Sequence, residues 1–260
     1  MLAHSPPIPL IVSYFYKSRE LTTEDEEGII LALKQHDRVR RVRLHNACKI
    51  IEKLIVAMDE ECPILEFLYI SHLIEDNTTI LRLPESFQAP QLRYLMLGSF
   101  AFPIGSRLLT TAVGLVTLHL VMAHPSTYFH PNTLIRWISL MPQLETLEIV
   151  LIFSIPNRDV ERKLTHTPII APVMLPNLHR LRFSGVSTYL EALVHWTTTP
   201  RLKELRIEFS NQLTFSVPRL LQCIIAAENF RFGNAVLTFS DKVLVRASIR
   251  TGRPTGMRLA

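Results

Sequence analysis

"LPNLHRLRF" (175–183) places a proline ahead of a strand-like run whose apolar positions are Leu178, Leu181 and Phe183. The same form recurs. "CPILEFLYI" (62–70), "APQLRYLML" (89–97), "MPQLETLEI" (141–149) and "TPRLKELRI" (199–207) all read x-P-x-L-x-x-L-x-apolar. Two further stretches, "AVGLVTLHL" (112–120) and "DRVRRVRL" (37–44), keep the apolar spacing without the proline. The first apolar residues of these seven lines are Val39, Leu65, Leu92, Leu115, Leu144, Leu178 and Leu202, spaced by 26, 27, 23, 29, 34 and 24 residues.

A recurrence near every 27 residues, with L-x-x-L-x-L inside each unit, is the sequence mark of leucine-rich repeats, which contribute one short strand per unit. Further copies are expected at "NAVLTF" (234–239) and, in degenerate form, at "IPLIVSYF" (8–15), for about eight or nine units. Between the lines the apolar period changes to that of a helix. Residues 47–59 align Ile50, Ile51, Leu54, Ile55 and Met58, and residues 217–227 align Leu220, Leu221, Ile224 and Ile225 behind Pro218. Similar helices are expected at 131–140 and 188–196. Thr23-x-x-Glu26 resembles a capping box ahead of Ile29, Ile30 and Leu33. The unit between Leu92 and Leu115, with Gly98, Pro103 and Gly105, reads as too short and broken for a good helix.

Strand, loop, helix and return, in register, predict an α/β fold: an irregular leucine-rich-repeat solenoid with a parallel sheet on the concave side and helices on the convex side. The expected organisation is a single solenoid over 1–241, then a last strand and basic tail over 242–260. Each proline reads as ending a return segment, since it sits where no ladder donor is required and biases the residue before it toward extended backbone.

Of the 260 residues 48% are hydrophobic and 20% charged, an ordinary globular composition. No apolar run is long enough for a membrane span, and "MLAHSPPIPL" (1–10) lacks the layout of a signal peptide. A cytoplasmic or nuclear protein is expected. The net charge of +5 belongs to the tail: Lys242, Arg246, Arg250, Arg253 and Arg258 have no acidic residue among them, leaving twenty-three basic against twenty-three acidic residues in 1–241. Such a tail is either a solvated segment or a contact for an anionic partner. Cys48, Cys62 and Cys223 are odd in number and set among apolar neighbours, which points to buried reduced thiols rather than a disulfide framework or zinc cluster. Asn77-Thr78-Thr79 is a glycosylation sequon, relevant only in a secretory compartment.

Reaction chemistry is not legible. The chain holds no G-x-S-x-G elbow, phosphate loop, dinucleotide fingerprint or H-E-x-x-H. His119, His124 and His130 have spacings that fit no helix face and lack acidic or thiol companions. Glu145 and Glu148 sit inside repeat text, where solvated strand positions explain them better than a catalytic dyad. Neither enzyme, metal nor cofactor is expected. Arg40, Arg41 and Arg43 lie several repeats from Arg180 and Arg182, so no single basic stripe for nucleic acid is expected either.

Three long stretches carry a family resemblance: "SRELTTEDEEGIILALKQHDRVRRVRL" (18–44), "IVAMDEECPILEFLYI" (55–70) and "IPNRDVERKLTHTPIIAPVMLPNLHRLRF" (155–183). With them, most of the chain resembles the leucine-rich-repeat region of the F-box proteins expanded in basidiomycete, mushroom-forming fungi. The resemblance implies a partner- or substrate-reading solenoid that in full-length members follows an F-box docked to the Skp1–cullin ubiquitin ligase. Here the F-box itself is expected to be absent, and Skp1 is a partner only if an F-box lies upstream. The Asn of regular repeats is missing too: the corresponding positions hold Ala47, Phe100 and Ile152. The alternative is a stand-alone repeat scaffold or sensor unrelated to ubiquitination.

In a strand reading L-x-x-L-x-L, the residues flanking the second marker face the opposite side. They form the expected partner-binding surface: Arg41, Arg43, Phe67, Tyr69, Tyr94, Met96, Thr117, His119, Thr146, Glu148, Arg180, Arg182, Glu204 and Arg206. Phe67, Tyr69, Tyr94 and Met96 are its expected apolar anchor, because aromatic residues, Met and Arg are enriched at protein interfaces. The longest insertion carries "PNRDVERKLTH" (156–166), either a binding loop at one rim or a short solvated helix with Asp159 and Lys163 at i,i+4.

Overall fold

The computed structural model describes residues 8–15, 22–73, 81–101, 107–122, 127–152, 171–209, 216–226, 234–239 and 243–248. In chain order the strands are β1 (Leu10–Phe15), β2 (Val39–Ala47), β3 (Phe67–Leu73), β4 (Leu81–Arg82), β5 (Tyr94–Gly98), β6 (Phe100–Ala101), β7 (Thr117–Met122), β8 (Thr146–Leu151), β9 (Val173–Met174), β10 (Arg180–Gly185), β11 (Thr197–Thr198), β12 (Glu204–Phe209), β13 (Asn234–Phe239) and β14 (Val243–Ser248). The helices are α1 (Thr23–Leu33), α2 (Cys48–Val56), α3 (Arg107–Thr111), α4 (Pro131–Ser139), α5 (Ser187–His195) and α6 (Pro218–Ala226).

The fold is α/β, built on an eight-strand parallel array in which β1, β2, β3, β5, β7, β8, β10 and β12 each bond to the next in chain order. Two-residue strands pair separately, β4 with β6 and β9 with β11. The register reproduces the spacing of the seven sequence lines residue for residue: Val42, Leu68, Leu95, Leu118, Leu147, Leu181 and Leu205 face one another across successive strands. These residues and their i+2 neighbours, from Leu44 and Ile70 to Phe183 and Ile207, are buried in one core with α2, α4 and α5. A strand has a side-chain period of two, so the same register leaves the alternate residues on the other face.

The proline has a more specific place than the end of a return segment. In six consecutive units the amide of the first apolar residue donates to the carbonyl three residues earlier, from Leu65 to Cys62 through Leu202 to Thr199, at 3.1–3.3 Å. Each is a β-turn. Its second position holds Pro63, Pro90, Pro142, Pro176 and Pro200 in five units and Val113 in the sixth. Proline suits that position because its fixed φ is the one the turn needs and its missing N–H costs no hydrogen bond there.

Four expectations change in detail. Thr22, not Thr23, caps α1, its side chain accepting from the Asp25 amide at 3.1 Å. The segment before Leu115 does hold a helix, the five-residue α3. Leu221 is exposed while Leu220 is buried, so the apolar stripe of α6 excludes Leu221. Finally, "NAVLTF" (234–239) does not pair with β12 as the next parallel unit would. It forms the antiparallel hairpin β13–β14, with β14 lying between β12 and β13 and antiparallel to both. Residues 240–242 are too few for a parallel crossover, which needs about a dozen residues, so a hairpin is the only way both strands can join the sheet. A boundary at 241/242 therefore cuts a hairpin. The degenerate copy at 8–15 does form a parallel strand on β2.

Cys62 is a free, buried thiol, pushed up to about 12 by burial, with Glu60 and Glu61 adding to the effect. The sequon, the 156–166 insertion and the tail beyond 248 lie outside the described residues, as do the side chains of Cys48 and Cys223. Among the described residues no helix is long and apolar enough to cross a membrane.

Leu181, 5% exposed and paired on both sides by leucine, is the representative core position. Leu181→Ala is expected to cost about 2–5 kcal/mol in denaturant unfolding. Pro176→Ala, which gives the unfolded chain more freedom, is expected to cost about 0.4–1 kcal/mol. A turn proline worth as much as the core leucine would contradict this division.

Candidate functional site

The face of the sheet opposite the core presents three rows of side chains across the strands. The first runs Ile11, Arg41, Phe67, Tyr94, Thr117, Thr146, Arg180, Glu204; the second Ser13, Arg43, Tyr69, Met96, His119, Glu148, Arg182, Arg206. All fourteen residues singled out from the sequence lie in these two rows. Arg41, Arg43 and Arg180 are exposed and the other eleven half-buried. A third row, from Phe15 through His45, Ser71, Gly98, Val121, Val150 and Ser184 to Glu208, was not anticipated. Its signal was available: carrying the alternation one step past each line, and along "LIVSYF" (10–15), reaches these residues.

At the β1–β5 end the face is aromatic and cationic. The Phe67 and Tyr94 rings stack with centroids 4.3 Å apart and planes 9° from parallel. The Arg41 guanidinium lies over Phe67 at 5.1 Å. Arg43 reaches two rings, Phe15 at 4.1 Å and Tyr69 at 5.4 Å, so its guanidinium bridges residues of β1 and β3. Tyr94 meets His119 edge-on at 5.6 Å. Burial raises the Tyr94 hydroxyl above its ordinary pKa, helped by Tyr69 and Glu148 and opposed by Arg43.

At the β8–β12 end the charges are paired. Arg180 Nε donates to Glu204 at 2.7 Å, and Arg182 reaches Glu204 at 3.4 Å and Glu148 at 3.8 Å. Burial alone would raise the Glu204 carboxyl, but the hydrogen bonds and charges of Arg180 and Arg182 together hold it below the usual carboxylate range. Arg180 and Arg182, the outward residues of the "LPNLHRLRF" line, are therefore engaged within the protein. Glu148, Arg182, Ser184, Arg206 and Glu208 line an open concavity of 510 Å³ on this half of the face.

The two described histidines of the His119, His124 and His130 set lie in different places. His119 belongs to the second row, whereas His130 caps α4, its Nδ1 accepting from the Asn132 amide at 3.1 Å. His124 is outside the described residues, and among those described no group of three or more potential ligands exists. Glu145 is exposed at the entry to β8, while Glu148 is part of the paired charges.

Comparison of the chain with protein-family models, with curated proteins and with solved structures finds no match.

His119 provides a test of this geometry. Burial lowers its pKa below the ordinary 6.5, with Arg182 and Arg180 adding to the shift and Glu148, 3.6 Å away, opposing it. The imidazole is thus neutral at pH 7 in the folded protein. On acidification the unfolded chain protonates His119 first, so stability is complete above about pH 6.5 and declines as the pH falls below it. His119→Gln removes that component. The fall in Tm between pH 7.5 and pH 5.5 is expected to be smaller in the variant, and equal falls would refute the assignment.

Proposed function

We propose that this chain is a non-catalytic protein-interaction module, an irregular leucine-rich-repeat solenoid that reads a protein partner on the open face of its sheet. The observation that supports this most directly is the continuity of that face: aromatic, Met and Arg side chains lie in register on adjacent strands rather than scattered, and many are only half-buried. Isolated apolar side chains on a surface need no explanation, but a contiguous patch does. The 27-residue sequence recurrence and its agreement with the strand register favour the solenoid reading.

On the resemblance of its long sequence stretches, the module is the substrate- or partner-recognition region of an F-box-type ubiquitin-ligase adaptor. In that setting the F-box would hold Skp1 while the open face selects what is ubiquitinated. Non-catalytic recognition also accords with the paired charges of Glu148, Arg182, Arg180 and Glu204, which brace one another.

Two measurements test the proposal. Proximity labelling in cells is expected to return a partner set that shrinks in a Phe67→Ala, Tyr69→Ala, Tyr94→Ala variant with unchanged circular dichroism; identical sets for variant and wild type would remove the face as the docking site. Separately, the gene is expected to encode an F-box upstream of Met1, and the chain so extended is expected to co-purify with Skp1. An extended, folded chain that leaves Skp1 behind would refute the ligase role while leaving the docking face intact.

A further inference from the structure

We infer that the β1–β5 half of the open face is a docking site for an acidic, extended peptide segment of the partner, one that sets carboxylates against Arg41 and Arg43 and apolar side chains against Phe67, Tyr94 and Met96. This rests on the reading of the face as a protein-docking surface and names the chemistry of what docks there.

Charge is the first observation. On the open face of β1, β2, β3 and β5 the outward positions hold Arg41, Arg43, His45, four aromatic residues and Met96, and no Asp or Glu. Among the described residues neither Arg41 nor Arg43 has an ion pair or a hydrogen bond; their contacts are with ring faces. The nearby Arg40 differs, being paired with Glu66 at 3.0 Å. A guanidinium held against a ring keeps its in-plane N–H donors available, and that planar fork matches a carboxylate in bidentate fashion. On the opposite half Arg180 and Arg182 are paired with Glu204 and Glu148, so among the described residues Arg41 and Arg43 stand apart from them in facing rings rather than carboxylates.

Ring orientation is the second observation, and it separates a peptide from a nucleic acid. Adjacent strands lie about 4.8 Å apart. The Phe67 and Tyr94 rings stack across one such gap at 4.3 Å and 9°. Rings that stack in the strand-to-strand direction must stand upright on the sheet, with their faces covered by each other and their edges toward solvent. Arg41 covers the far face of the pair, and Phe15 and Tyr69 flank Arg43. A nucleotide base stacks on an open ring face, and Phe67 has one face against Tyr94 and the other under Arg41, while Arg43 occupies one face each of Phe15 and Tyr69. An aromatic edge carries the positive part of the ring quadrupole, so upright rings beside two cations favour anions and leave apolar clefts between them. The four strands span about 14 Å, which four or five residues of extended chain cover.

Fluorescence polarisation with the intact chain tests this. The probes are a labelled dodecapeptide of Glu-Glu-Leu-Asp repeated three times, its amide counterpart of Gln-Gln-Leu-Asn, and the oligonucleotide dT12. Wild type is expected to bind the acidic peptide at least tenfold more tightly than the amide peptide in 50 mM salt, with the preference shrinking in 500 mM salt. Arg41→Glu with Arg43→Glu is expected to abolish the preference, while the same charge change on the helices, Arg136→Glu with Arg219→Glu, keeps it; Tm values establish that both variants are folded. Equal binding of the two peptides, lost in the Phe67, Tyr69, Tyr94 alanine variant, would overturn the acidic assignment and leave the docking face standing. The same holds if no peptide binds while proximity labelling still maps partners to this face. Tighter binding of dT12 through Arg41 and Arg43 would overturn both.

Discussion

The pairing register between successive parallel strands is the constraint on which everything else rests. A strand side chain alternates faces, so a slip of one residue between any two strands would turn a row of leucines outward and a row of arginines and aromatics inward. Burial of Val42, Leu68, Leu95, Leu118, Leu147, Leu181 and Leu205 in one continuous row makes that slip prohibitive. The turn before each strand reinforces it. Its 4→1 hydrogen bond ends on the first apolar residue, so the chain enters six of the eight parallel strands at the same phase, and proline stiffens five of the six turns. Repeat spacings of 23 to 34 residues can then vary without disturbing the sheet.

The open face inherits its order from the buried one. Once leucines are aligned, the residues between them are aligned as well, at the strand spacing of about 4.8 Å. That distance is close to the separation of two stacked rings and within reach of a guanidinium over a ring. Phe67 and Tyr94 stack, and Arg41 and Arg43 settle on neighbouring rings, because the buried register delivers them to adjacent places. The same spacing lets Glu204 accept from Arg180 and Arg182 together. Exposed pairs of this kind contribute little to stability, about 0–1 kcal/mol, so their larger effect is on which charges remain available to a partner.

Much of the fold was legible because it is periodic. The strand positions, the inward residues and the outward residues in the two rows flanking the second marker follow from one repeated spacing. The departures occur where that spacing is interrupted. Residues 234–239 have a strand-like composition and run in the same direction as the array, but β14 takes the place beside β12, so they join the sheet only through an antiparallel hairpin. The cap of α1 lay one residue from the expected Thr because Thr22 and Thr23 are chemically equivalent and only the backbone at the helix entry, extended at Thr22, distinguishes them. The third row lies one step beyond the L-x-x-L-x-L text, where the alternation continues through Met122, Leu151 and Phe209 in β7, β8 and β12 but is broken in β2, β3 and β5.

The sequence alone determined the period of about 27 residues, the identity of the core leucines and which residues face away from them, since these depend on local side-chain alternation and on the cost of exposing apolar area. Tertiary structure alone decided how the outward charges are shared. Arg180 and Arg182 read in sequence like Arg41 and Arg43, each pair flanking a buried strand residue. In the sheet the first pair meets Glu204 and Glu148 and is neutralised, whereas the second meets Phe67, Tyr69 and Phe15 and keeps its charge. The reason is that a cation's availability is set by what stands on the neighbouring strand, more than twenty residues away in the chain, and only strand pairing brings that neighbour into contact.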